Sequence, residues 1–347
     1  MINPADLNPL LTKELRGRMR GWRAIGMLTI YLFLLGGQTW LVYALIAFNS
    51  SPADIVGAQF GKYLLGVVVI FQLFFVSLLA PAFTAGIITG EREKQTYDLL
   101  MTTLLRPRTI VLGKMGAALA WLLLLVLAVV PLSSLAFLLG GVAPEELILS
   151  LVVILATAFF YGAIGLFWSS VLRSTIAAVV LALVTIARLV VVAPAVYYMG
   201  VTALTLTNNG APPAWLQNTP VLYANELLLS THPLYALGAS EAYLLNNQPI
   251  FLATTTLNGA DVTVPQPWLV YTLFALLLGV ALILLTIRNL PPVHGRRHAM
   301  PPPTIARSGV SPATSSAAPL PPAGPGEGMA AATLPAEPPR SESGEDS

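Results

Sequence analysis

The chain has 347 residues, of which 56% are hydrophobic and 10% charged, and its formal net charge is +2. Because soluble globular domains carry about 25% charged residues, this composition predicts an integral membrane protein. The small net charge gives no reason to expect a nucleic-acid partner. The chain has no cysteine, which excludes disulfides, thiolate metal sites and cysteine nucleophiles.

The first segment, residues 1–23, is basic and amphipathic. After Asn8-Pro9, a plausible helix start, a stripe three turns long collects Leu11, Leu15, Met19 and Trp22. Most of the basic side chains lie opposite that stripe. We expect an interfacial helix whose basic face meets anionic membrane lipids. The alternative is a basic flank that only sets the topology.

Six apolar runs are long enough to cross a bilayer, since a crossing needs about 20 apolar residues. The fourth and fifth runs are separated only by Arg173-Ser174 and together are too long for one crossing, so we predict a tight hairpin there. The six predicted spans cover residues 24–48, 63–88, 115–139, 147–172, 174–199 and 267–288.

The distribution of Lys and Arg predicts the orientation. Of the 18 such residues, 16 lie before span one, between spans two and three, between spans four and five, or at and beyond the end of span six; the others are Lys62 and Arg188. Because cytoplasmic loops are enriched in Lys and Arg, we expect both termini in the cytoplasm. Residues 200–266 contain neither residue type and are predicted to form an external loop.

That external loop mixes Leu, Tyr and Trp with Pro and Gly breaks. Either short helices on the outer leaflet or a packed lid over the spans would fit this pattern. Residues 289–347 are instead rich in Pro, Ala, Ser and Gly. Such a segment cannot bury enough apolar surface to offset its ordering entropy, so we predict a disordered cytoplasmic tail.

The loop between spans two and three carries a dense group of charges. On a helix over residues 92–105, with Glu91 and Glu93 at its start and Pro107 beyond its end, one face collects Tyr97, Leu100, Met101, Leu104 and Leu105. This pattern predicts a short surface helix that presents one face to a partner. An interfacial turn without a partner is the alternative.

The run E-x-E-x-x-T-x-x-x-L-L, followed by I-V-L-G-K at the entrance of an apolar span, resembles the signature loop of ABC type-2 (ABC-2) transporter permeases. In that family the loop forms a coupling helix that contacts the ATP-binding subunit. Gln95 stands where the family often has Gly, and Leu104 where it often has Pro. The matching positions are Glu91, Glu93, Thr96, Leu99, Leu100, Gly113 and Lys114.

The resemblance covers about residues 8–288 and implies an all-α polytopic membrane helix bundle. It implies a six-span permease domain over residues 24–288, with a coupling loop at 89–114, in the plasma membrane. The function implied is the translocation path of an ATP-driven exporter, built with a second permease copy or a paralogue. No cofactor is expected. The nearest string to G-x-x-x-x-G-K-[ST] is GAQFGKY, which has the wrong spacing, so a separate ATP-binding subunit is expected to hydrolyse ATP.

Arg188 lies near the middle of predicted span five, and none of the predicted spans contains Asp or Glu. A charge at this depth costs at least about 2.5–3.5 kcal/mol on insertion scales. Arg188 could face the permease interface or the translocation path. It could instead snorkel, or pair with an acid near a span end such as Glu145, Glu146 or Glu226.

Two other functional classes compete with transport. A membrane-embedded enzyme is disfavoured, because the spans lack H-E-x-x-H, G-x-S-x-G and paired carboxylates, and the histidines lie in the external loop or the tail. A membrane scaffold or anchor that recruits a cytoplasmic partner without transport stays open, since a coupling helix and a docking helix have the same sequence pattern.

Overall fold

The computed structural model describes residues 17, 22–49, 58–96, 107–138, 140–211, 213, 215, 218–257 and 260–290. Most of the interfacial segment predicted over residues 1–23, the middle of the coupling loop and nearly all of the predicted tail lie outside these ranges. The described elements are α1 (Trp22–Asn49), α2 (Ala58–Glu93), α3 (Pro107–Ala128), α4 (Val130–Leu138), α5 (Pro144–Val171), α6 (Thr175–Ala187), a π-helix (Arg188–Val192), α7 (Ala193–Thr207), α8 (Thr219–Leu229), α9 (Pro233–Leu245), β1 (Leu252–Leu257), β2 (Ala260–Pro265) and α10 (Pro267–Asn289).

Six helical segments of the described chain are long and apolar enough to cross a membrane, which confirms the predicted six-span helix bundle. The predicted hairpin is also confirmed, because span four ends at Val171 and span five begins at Thr175. The spans, numbered one to six from here on, are Ala24–Leu45, Gly61–Glu93, Arg108–Leu138, Pro144–Val171, Thr175–Thr207 and Pro267–Asn289.

Span four is the central helix of the bundle, and it packs most extensively against span two and next against span six. Gly165 allows the closest approach to span two: a Cβ atom there would lie 2.8 Å from the Cα of Pro81 and would also collide with the Thr84 hydroxyl. Towards span six, the Thr157 hydroxyl lies 2.8 Å from the buried hydroxyl of Tyr271. Small residues and internal hydrogen bonds of this kind hold helices together where lipid supplies no hydrophobic driving force.

Span five changes its helical geometry at Arg188–Val192, which ends two residues before Pro194. A proline has no N–H, so Pro194 cannot bond to the carbonyl of Val190, four residues earlier. The Nε2 atom of His232 lies 3.0 Å from that carbonyl oxygen and donates to it. The segment between spans five and six is therefore tied to the irregular turn of span five.

The segment between spans five and six, predicted to be external, folds into two short helices and an antiparallel hairpin. Helix α9 packs against spans four and six, with Ala236 fully buried, as the packed-lid alternative expects. In the hairpin, Leu252 pairs with Pro265 and Ala253 with Val264. The hairpin was not predicted, although Thr- and Val-rich stretches on both sides of Asn258-Gly259 carry its signal.

The first prediction concerns the close approach of spans two and four at Gly165. Gly165→Ala forces a methyl group into the backbone at Pro81, and overpacking of this kind costs about 1–3 kcal/mol. We expect Gly165→Ala to lower the midpoint of thermal unfolding, measured by tryptophan fluorescence in detergent. Gly36→Ala in span one is the matched control, because nothing lies within 4 Å of a Cβ atom there. Equal midpoints for the two variants would contradict the packing argument.

Candidate functional site

The helix of span two ends in a Schellman motif. The N–H of Thr96 donates to the carbonyl of Glu91 at 3.0 Å, and the N–H of Gln95 donates to the carbonyl of Arg92 at 3.1 Å. Gln95 has a φ of 57°, in the left-handed region that glycine adopts most easily. Glycine would adopt this φ with the least strain, but this chain has Gln95 at the position.

The predicted helix over residues 92–105 is wrong at its beginning. Arg92 and Glu93 belong to the last turn of span two, and Lys94 and Gln95 form the turn that ends it. The acids predicted to begin a new helix are therefore at the end of the preceding one. The acids are tolerated at this helix end because Glu91 binds span three and Glu93 binds span five. The rest of the predicted helix lies outside the described residues.

Glu91 binds the beginning of span three. Its Oε1 atom lies 2.6 Å from the Nζ atom of Lys114, and its Oε2 atom accepts a hydrogen bond from the Thr96 hydroxyl. The side chain of Lys114 is only 10% exposed, and the preceding Gly113 is buried. A buried ammonium group needs a compensating charge, and Glu91 supplies it. The ion pair thus joins the two ends of the loop between spans two and three.

Glu93 binds the beginning of span five. Its Oε1 atom accepts the backbone N–H of Thr175 at 2.7 Å, and its Oε2 atom accepts the Thr175 hydroxyl at 2.9 Å. The preceding Ser174 forms no side-chain cap for this helix, so Glu93 fills that role from another helix. A carboxylate at a helix N-terminus is also favoured by the helix dipole.

Further polar contacts that the sequence did not predict hold the span-four–span-five hairpin against span two. Arg92 donates to the carbonyl of Leu172 at 2.7 Å. The hydroxyl of Ser169 accepts the backbone N–H of Thr89 at 3.1 Å. Neither Arg92 nor Ser169 is a fixed position of a spaced motif. The only sequence signal for these contacts was therefore the predicted tight hairpin.

The structure thus brings three of the predicted coupling residues into direct contact: Glu91, Thr96 and Lys114. Gly113 adjoins them, and Glu93 points to the neighbouring hairpin. Leu99 and Leu100 lie outside the described residues. No group of three or more His, Asp or Glu side chains within the described part of the chain could hold a metal ion.

Arg188 lies away from this cluster, at the first residue of the π-helix in span five, and its side chain is exposed. Of the three acids considered as partners of Arg188, two bind other side chains and one is exposed. Glu146 pairs with Lys62, and Glu226 accepts a hydrogen bond from Tyr235 at 2.8 Å. Glu145 is exposed at the beginning of span four, as a solvent-facing acid would be. The role of Arg188 stays a prediction.

The second prediction concerns the Schellman motif at the end of span two. Gln95→Gly should stabilise the protein by up to about 1 kcal/mol, because a side chain in the left-handed region costs about 1–2 kcal/mol. Lys94→Gly, one residue earlier and without a positive φ, should destabilise the protein, because glycine there only adds unfolded-state entropy. The measurement is the free energy of unfolding in a denaturing-detergent titration. Changes of the same sign in both variants would count against the motif.

The chain is similar to a known family of transporter proteins over most of its length. A model of the ABC-2 family transporter proteins matches residues 9–288, which include the six spans except Asn289 and the loop with the Glu91–Lys114 pair. No curated protein matches the chain. The family match covers more than half of the sequence and agrees with the six-span bundle. The chain therefore belongs to the ABC-2 family of transporter proteins and is a multi-pass membrane permease.

Proposed function

We propose that the chain is the membrane-spanning subunit of an ATP-driven exporter in the plasma membrane, with both termini in the cytoplasm. A separate ATP-binding subunit contacts the loop over residues 89–114 and supplies the energy. A second permease copy or a paralogue completes the translocation path, and membrane lipids surround the pair. The family match and the distribution of Lys and Arg support this proposal.

The observation that carries the coupling role is the set of bonds at the end of span two. Glu91 holds the beginning of span three through Lys114, and Glu93 holds the beginning of span five through Thr175. A partner that displaces the loop therefore pulls on three spans at once. Such a linked set of helices is suited to move between two packed arrangements that a partner's nucleotide state selects.

The third prediction tests the partner and the loop together. The tagged chain is purified in mild detergent from its native membrane, and co-purifying proteins are identified by mass spectrometry and assayed for ATP hydrolysis. We expect an ATPase to co-purify with the wild-type chain. A variant with Glu91, Glu93 and Thr96 changed to Ala should lose that ATPase or uncouple hydrolysis from transport, because the loop is no longer held to spans three and five.

Two controls separate coupling from loss of folding. Glu145→Gln removes an exposed carboxylate outside the cluster and should behave as wild type. A charge-reversed pair, Glu91→Lys with Lys114→Glu, should recover more coupling than either single change, because it restores an ion pair. If no ATPase co-purifies under conditions that preserve other such complexes, the scaffold function replaces the transport proposal.

Arg188 makes the fourth prediction. Its exposed guanidinium lies on the lipid-facing or partner-facing surface of span five, where a charge needs a counter-ion, and it forms no ion pair with the described residues. We expect Arg188→Ala to lower transport in reconstituted vesicles while assembly with the ATPase survives in the pull-down. Arg288→Ala, an exposed arginine in the last turn of span six, is the matched control. Normal transport by Arg188→Ala would contradict a role in the path or the interface.

A further inference from the structure

A second charged cluster lies at the opposite end of span two from the Glu91–Lys114 pair. Lys62, near the beginning of span two, has its Nζ atom 3.3 Å from Glu146 Oε1 and 3.5 Å from Glu241 Oε1. Glu146 lies in the first turn of span four, and Glu241 lies on helix α9, between spans five and six. One ammonium group therefore faces two carboxylates, which leaves the cluster with a formal charge of −1.

The cluster forms one wall of a cavity of about 610 Å³ between span two, span four and α9. This volume lies within the range of small-molecule sites in proteins, which is about 300–1,000 Å³. The rest of the wall is mainly aliphatic and includes Leu65, Val69, Leu149 and Leu237. The cavity combines a long apolar surface with a single charged end.

The carboxylate of Glu146 is incompletely bonded. Its side chain is 6% exposed, and its Oε2 atom is buried with no hydrogen-bond partner in the described part of the chain. A buried acceptor left without a donor is costly, and more so when it is charged. Burial and the neighbouring Glu146 carboxylate raise the pKa of Glu241, against the opposing charge of Lys62, as expected where negative charge is in excess.

We propose that this cavity binds a lipophilic ammonium ion, with its N–H groups on the Glu146 carboxylate and its hydrocarbon part along the aliphatic wall. An ammonium group supplies both the missing donor and the missing positive charge, since it has up to three N–H donors and no acceptor. An anion would be repelled by the two carboxylates. An uncharged alcohol could donate one hydrogen bond but would leave the net charge uncompensated.

The test uses decylammonium as the probe and the full chain in phosphatidylcholine nanodiscs, whose quaternary headgroups have no N–H. Binding of tritiated decylamine is measured against empty nanodiscs, so that partitioning into lipid is subtracted. Unlabelled decylammonium should displace the label, and decanol of the same chain length should not. Equal displacement by decanol would show a merely apolar pocket and would overturn the proposal.

Point variants then test which charged side chain binds the ammonium group. Glu146→Gln should weaken decylammonium binding about tenfold or more, because a charge-assisted hydrogen bond is lost. Glu145→Gln, the same change one residue earlier on the exposed face, should leave it unchanged. Lys62→Met removes the competing ammonium and should maintain or strengthen binding. If Lys62→Met and Glu146→Gln weaken binding equally, the cluster is only a structural ion pair, and the proposal fails.

The source of the ammonium group is resolved by a second arm. Nanodiscs that contain phosphatidylethanolamine offer a primary ammonium on a lipid headgroup. If that lipid competes with decylammonium in the wild-type chain but not in Glu146→Gln, the natural occupant is a lipid headgroup. If it does not compete, the occupant is a soluble amphiphilic amine. Neither arm requires the ATP-binding subunit, so failure here is distinguishable from failure of the transport proposal.

Discussion

The contact between spans two and four is the constraint on which the other helices depend. Within a bilayer, helices gain little from hydrophobic burial against one another, so close backbone approach and internal hydrogen bonds must hold them. Gly165 allows that approach beside Pro81 in the interior. The Ser169 hydroxyl fixes one end of the pair and the Lys62–Glu146 ion pair fixes the other. Spans five and six then pack on this central pair.

At the end of span two that carries Glu91, the acids bind neighbouring helices because charged groups near hydrocarbon have few other partners. Two acids at the end of a helix oppose its own dipole, yet each stabilises a neighbour: one compensates Lys114, and the other caps span five at Thr175. The same bonds that satisfy these groups connect the ends of spans two, three and five. The side chains that satisfy these charges are therefore the same ones that connect the three spans.

The two ends of span two differ in how completely their charges are matched. At one end Glu91 has Lys114 on one oxygen and Thr96 on the other, so the carboxylate is satisfied within the chain. At the other end Lys62 is shared between two acids, and one oxygen of Glu146 has no donor among the described residues. The first arrangement supports the coupling that we propose, and the second supports the ligand site that we propose.

The sequence by itself determined the membrane class, the six spans and the tight hairpin at Arg173-Ser174, because apolar run length follows directly from bilayer thickness. It also located Glu91, Thr96 and Lys114 through the family signature. Their mutual contact, the role of Glu93 at span five and the cavity at Glu146 were decided by tertiary structure. Apart from the Glu91–Thr96 hydrogen bond, which joins residues five positions apart, those contacts join residues 23 to 179 positions apart, and no local periodicity encodes such pairings. The end of span two at Glu93, followed by the turn at Gln95, was likewise decided by hydrogen bonds rather than by the charge pattern, which favoured a helix start there.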